Sequence, residues 1–138
     1  MPAYYLTNST VKGVWHLSTG VIGSRLPVDK VTAEVARVAA GGLAATDEAL
    51  ADAALSLRTT DSTTKMASVR VALPAASGAG TVEVTVTGIA KGVGMIHPKM
   101  ATMLSIVLTD ATASPATLRE LLRAASATTW NQLSVDAD

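Results

Sequence analysis

An α+β fold, with helices and strands mixed along one chain, is predicted by three features of this sequence. Apolar residues recur at three- and four-residue steps in three segments, the period drops to two between the second and third of them, and a proline- and glycine-rich run divides the alternating stretch. At 138 residues the chain has the length of one average domain. No internal repeat, long linker or low-complexity block divides it, so residues 1–138 are expected to form a single domain or part of one.

The spacing predicts a first helix over residues 27–40, where Val28, Val31, Val35 and Val38 share a face and Gly41-Gly42 stops the run. A second helix is expected over residues 46–57. Asp47 and Glu48 suit the positive end of its dipole, and Leu50, Ala54 and Leu57 form its apolar stripe. Two strands follow, over residues 67–73 and 81–87, joined by the turn Pro74-Ala75-Ala76-Ser77-Gly78-Ala79-Gly80. A third strand is expected over residues 103–108, closed by Thr109-Asp110. Ser114 is a good N-cap with Pro115 at the first helical position, so a third helix starts there, with Leu118, Leu121, Leu122 and Ala125 forming an inward stripe.

Hydrophobic residues make up 49% of the chain and aromatic residues 3%, with no Phe, so the core must come from small aliphatic side chains. A buried Val or Leu contributes roughly 1.5–3 kcal/mol and an Ala much less, which leaves a thin stability margin. Eleven basic and eleven acidic residues give a net charge of zero without clusters, which argues against nucleic acid or an anionic membrane surface as partner and for a small metabolite. The absence of cysteine and the wide separation of His16 from His97 argue against a metal centre. No apolar leader or stretch of roughly 20 apolar residues is present, so a cytoplasmic location is expected. Asn8-Ser9-Thr10 matches a glycosylation sequon, read as chance without a secretory signal.

Three segments carry residues suited to chemistry. Gly88-Ile89-Ala90-Lys91-Gly92-Val93-Gly94-Met95 reads as a glycine-rich loop holding one lysine, and leads through Ile96-His97-Pro98-Lys99-Met100-Ala101 to Thr102-Met103-Leu104. Glycine permits close backbone approach, which would set N–H groups beside Lys91 near a substrate carboxylate, although the spacing is not that of a phosphate loop and a Gly-x-Gly turn between two strands is more often plain hairpin geometry. In Ser18-Thr19-Gly20-Val21-Ile22-Gly23 the Thr hydroxyl and Gly N–H are able to donate to an oxyanion, or the run is simply the turn before the first helix. Thr59-Thr60-Asp61-Ser62-Thr63-Thr64-Lys65 is hydroxyl-rich, a composition also common in plain turns.

Taken together and in this order, from about Leu17 to Asp138, these segments resemble the ornithine acetyltransferase family, the bifunctional glutamate N-acetyltransferases of arginine biosynthesis. The family's Ser-Thr-Gly-Val-Ile-Gly turn, Thr-Thr-Asp loop and Ala-Lys-Gly-x-Gly-Met…Met-Ala-Thr-Met-Leu segment are all present here. The resemblance implies part of that family's layered α/β fold and no cofactor.

It also implies roles. Thr102 corresponds to the nucleophile that the family exposes by cutting its own chain at the preceding bond, here between Ala101 and Thr102. Such a cut frees an α-amine, with an ordinary pKa near ~8, that serves as general base for the Thr102 hydroxyl. Thr19 and Gly20 correspond to the oxyanion hole, and Thr59, Lys91 and Thr102 to positions that contact the amino-acid substrate. The implied reaction moves an acetyl group from N-acetylornithine to Thr102 and then to glutamate; some members also accept acetyl-coenzyme A. The implied assembly is a hetero-oligomer of the cleaved α and β chains.

Compared with the family pattern, Lys99 stands in place of a common Asn, Arg58 in place of an apolar residue, and Trp130 in place of Phe. Cleavage is expected to be most sensitive to Lys99, a charge close to the scissile bond. The resemblance further implies an incomplete copy, because family members have more chain before the Ser-Thr-Gly turn and after Asp138. Two other readings stand beside acetyl transfer: a threonine aminopeptidase or amidase, in which water resolves the acyl-threonine, and a non-catalytic remnant that folds by pairing with other segments.

Overall fold

The computed structural model describes residues 17–21, 23–97 and 102–135. The predicted positions Asn8, Ser9, Thr10, His16, Ile22, Pro98, Lys99, Met100, Ala101 and Asp138 lie outside the described residues. Helices α1 (Val28–Gly41) and α2 (Asp47–Leu57) precede strands β1 (Lys65–Pro74), β2 (Thr81–Lys91) and β3 (Leu104–Thr109), and helix α3 (Pro115–Thr128) leads into a short 3-10 turn (Trp130–Gln132). The expected α+β class is the observed one.

The caps that set these boundaries are local and readable. Thr46 stands just outside α2 rather than inside it, and its Oγ1 accepts from the Ala49 N–H at 3.2 Å. Ser114 does the same for α3, accepting from Thr117 N–H at 3.1 Å with Pro115 behind it. Helix α1 has no side-chain cap at its start and ends at Gly42, whose φ of 82° suits glycine.

The strands form one antiparallel sheet in the order β1-β2-β3. Pro74 pairs with Thr81, and the intervening turn closes with Ala75 N–H donating to Gly80 O at 3.1 Å. Gly78 and Gly80 both take φ 78°, a left-handed conformation that side-chain-bearing residues adopt at a penalty. Pro74 is tolerated because it ends an edge strand.

Register sets Thr85, Thr87 and Ile89 of β2 on one face with Ile106 and Leu108 of β3, and α2 lies over this face, with Leu50 beside Thr85, Thr87 and Leu108. Ala54 is fully buried there, as the α2 stripe predicts. The core is small: Ala54, Val84, Ile89 and Ile96 are the buried apolar residues among those described. On the opposite face Val69, Val71, Leu73, Val82 and Val107 remain exposed, while Val84 on the same face is buried.

The third helix departs from expectation. Its apolar stripe is only partly covered: Leu121 is 60% exposed, Leu118 and Leu122 are half-buried, and no residue of α3 is buried. Helix α1 likewise leaves Val28, Val35 and Val38 exposed and packs on no other described element. Periodicity reports that a helix has an apolar face, whereas what covers that face is decided by the rest of the fold.

Candidate active site

Lys91 does not sit in a glycine-rich loop. Strand β2, expected to end at residue 87, continues through Gly88, Ile89 and Ala90 and finishes at Lys91, which pairs with Leu104 at the start of β3. The reason is pairing on both sides: Gly88 faces Ala67 on β1 and Val107 on β3, so its backbone groups are taken up by two neighbours despite its weak strand propensity. The turn begins instead at Gly92, with φ +137°. A Cβ there would come within 3.0 Å of Ile96 Cδ1 and 3.5 Å of Met103 Cγ, so glycine is required for both conformation and space.

Lys91 is only 5% exposed, and its ammonium donates to Thr19 Oγ1 at 2.7 Å. Among the described residues no carboxylate forms an ion pair with it. A buried cation held by one hydroxyl is an unusual arrangement, because removing a charge from water is unfavourable unless opposite charge or several acceptors replace the solvent. Thr19 is half-buried and Gly20 beside it is exposed, with open space around its Cα.

Next to Lys91 stands a residue for which the sequence suggested no role. Asp61 is 2% exposed, and its Oδ1 accepts both the Gly92 N–H at 2.8 Å and the Lys65 ammonium. Arg58 Nη2 donates to the Asp61 carbonyl oxygen at 2.6 Å. The hydrogen bond from Lys65 is the main reason the carboxyl is pulled down to about 2, with Gly92 N–H, the Lys65 charge and the nearby Thr59 amide acting in the same direction against burial. The Thr59 amide exerts its pull without completing a hydrogen bond, and Asp61 Oδ2 has no partner among the described residues. Asp61 therefore ties the exposed Thr59 loop to the end of β2 that carries Lys91. The signal for it was present as an aspartate inside a hydroxyl-rich loop with lysine four positions later, but only burial separates such an anchor from a turn residue.

Thr102, half-buried, lies just ahead of β3, and its Oγ1 donates to Met95 O at 2.8 Å. Met95 holds φ 51°, a left-handed backbone that non-glycine residues adopt at a penalty. Thr102 thus lies two residues ahead of the strand that pairs with the Lys91 strand, but no hydrogen bond joins it directly to Lys91, Thr19 or Gly20 among the described residues. The structure brings Thr19, Lys91 and the Thr59 loop together and places Thr102 at the adjacent strand start; Ala101 lies outside the described residues. Past α3, the Val135 N–H donates to Ile96 O at 2.8 Å and fastens the far end of the described chain to the same turn.

Among the described residues no cluster of three His, Cys, Asp or Glu is placed to hold a metal ion, and no helix is long and apolar enough to cross a membrane. Known proteins share this sequence closely. The chain is 47% identical over 121 residues to the arginine biosynthesis bifunctional protein ArgJ of Symbiobacterium thermophilum, which covers 88% of this chain and 28% of that protein. It is 41% identical over 122 residues to the mitochondrial arginine biosynthesis bifunctional protein ArgJ of Aspergillus clavatus, covering 88% and 26% respectively. Its counterpart in Aspergillus oryzae is 40% identical over the same share of this chain. The chain spans about a quarter of the length of these curated relatives. The sequence pattern of the ArgJ family extends over residues 4–138, beginning ahead of the Leu17 at which the motif resemblance starts, and the chain belongs to that family.

Proposed function

We propose that this chain carries the threonine-nucleophile segment of an acetyltransferase that moves an acetyl group from N-acetylornithine to glutamate. The single observation that supports it best is the buried Lys91 ammonium beside Thr19, which has no carboxylate partner among the described residues and suits the α-carboxylate of an amino-acid substrate.

In this reading the chain first matures itself. Thr102 Oγ attacks the Ala101 carbonyl carbon, the peptide C–N bond breaks, and the freed Thr102 amine takes up the proton. Water then hydrolyses the Ala101–Thr102 ester, leaving an Ala101 carboxylate and a free threonine hydroxyl. In turnover that hydroxyl attacks the acetyl carbon of N-acetylornithine while the α-amine accepts its proton and passes it to the departing ornithine nitrogen. Glutamate's amine next attacks the acetyl ester, N-acetylglutamate leaves, and Thr102 Oγ regains its proton. Thr19 Oγ1–H and the Gly20 N–H stabilise the oxyanion in both half-reactions, a donor typically contributing about 3–4 kcal/mol.

The exposed apolar faces of α1, α3 and the sheet favour a second reading for the chain by itself, in which it acts only when paired with further polypeptide. Intact mass together with an acetyl-transfer assay separates the cases. A split between Ala101 and Thr102 and transfer to glutamate, both lost in Thr102→Ala, are expected. An uncut, inactive chain favours the second reading, and hydrolysis without transfer favours an amidase.

A further inference from the structure

Thr19 is assigned above as an oxyanion donor and Lys91 as a carboxylate ligand, two separate tasks, yet the two side chains are bonded to each other. The Lys91 ammonium donates to Thr19 Oγ1 at 2.7 Å across 72 positions of sequence. A threonine hydroxyl has one proton and two lone pairs. With one lone pair taken by a cation, the proton is turned away from Lys91, and Thr19 donates to no other described group. A charged donor on the oxygen also polarises the O–H bond, making it a stronger donor to a developing negative charge. Lys91 itself is held rigidly: it is 5% exposed, it ends a strand paired with β3, and the next amide is anchored on Asp61 at 2.8 Å. Among the described residues, two of its three N–H bonds have no acceptor and are open to a ligand.

We infer that Lys91 is a positioning residue for the Thr19 hydroxyl, so that one ammonium both holds the substrate carboxylate and aims the oxyanion donor. This rests on the acetyl-transfer reading and adds a consequence to it. Substrate selection and transition-state stabilisation share a residue, so weakening Lys91 lowers kcat as well as raising KM, whereas a carboxylate ligand alone would change KM.

The test is a mutant cycle on acetyl transfer, measured as kcat and KM with N-acetylornithine and glutamate. Thr19→Val is expected to lower kcat about 10²–10³-fold. Lys91→Met, which keeps length and removes charge, is expected to lower kcat about 10–100-fold and raise KM, and the double variant to have a kcat within about threefold of Thr19→Val. Lys91→Arg restores the charge with a different donor geometry, so KM recovers while kcat stays low. If Thr19→Val loses activity but Lys91→Met changes only KM, or the two kcat effects multiply, the inference is overturned and the acetyl-transfer reading stands. Unchanged kcat in Thr19→Val removes Thr19 from the oxyanion hole and overturns the inference, while the acetyl-transfer reading stands on the transfer observed. Should the wild-type chain transfer no acetyl group, the acetyl-transfer reading fails for it, and the same cycle is read on unfolding. Coupling of about tenfold or more in the unfolding constant then supports the Lys91–Thr19 contact, and additive effects overturn it.

Discussion

The Gly92 amide donates to the buried carboxylate of Asp61 at 2.8 Å, joining a loop after a helix to the end of a strand 31 residues away. Lys65 completes the arrangement from the start of β1. Because Gly92 follows Lys91 directly, this bond fixes the backbone from which the buried ammonium projects.

Removing that carboxylate should loosen the site before it unfolds the chain. Asp61→Ala leaves Gly92 N–H and Lys65 without their acceptor, and a loss of about 1–3 kcal/mol is expected in denaturant unfolding. Asp61→Asn retains an acceptor oxygen and should lie between Asp61→Ala and the wild type. Equal stability of all three would mean that the anchor contributes nothing.

The same group sets an acid limit. The Asp61 carboxyl is lowered from 3.8 to about 2 in the folded chain, chiefly by the Lys65 hydrogen bond. Between those two values the unfolded chain binds the extra proton and the folded chain does not, so stability falls as pH falls. The contribution is fully present above about pH 4 and is lost as pH drops through about 2. Unfolding curves from pH 2 to 6 should therefore show a slope that Asp61→Asn flattens.

Gly92→Ala is expected to destabilise by two separable effects. The φ of +137° is strained for alanine, and the added Cβ meets Ile96 Cδ1 at 3.0 Å. A combined loss of about 2–3 kcal/mol is expected. Pairing it with Ile96→Val, which removes the clashing methyl, should recover only the contact part. Full recovery would show that the backbone conformation is not constrained.

Cleavage between Ala101 and Thr102 should not separate the pieces. The β2–β3 register from Val86↔Thr109 to Lys91↔Leu104 and the bond from Val135 N–H to Ile96 O both cross the cut. Two masses under denaturing conditions and one complex under native conditions are expected. Dissociation on cutting would mean that pairing across β2 and β3 is too weak to hold a mature site.

Ser114→Ala should remove the α3 cap, worth about 1 kcal/mol, and because no residue of α3 is buried the loss should appear as local fraying. Amide exchange confined to residues 115–128 checks this; a uniform rise across the sheet would contradict it.

Much of the framework was legible in the sequence because its signals are short-range. Ser114 marks a helix start through a bond reaching three residues and Pro115 through its fixed φ, and Gly78 and Gly80 mark a turn through their own φ. Failures came where a local rule met a long-range decision. Gly88 reads as a strand breaker until both its neighbours pair it, and the α3 stripe reads as a core face until Leu121 is seen exposed.

The sequence by itself determined the α+β class, the order of the elements, and the motifs in which Thr19, Thr59, Lys91 and Thr102 stand, since periodicity, capping and motif spacing are properties of neighbouring residues. Only the tertiary structure decided that Lys91 ends a strand and bonds Thr19, and that Asp61 is the buried anchor beneath them. Those choices depend on which distant groups replace the water that a buried charge gives up, and no local spacing records the answer.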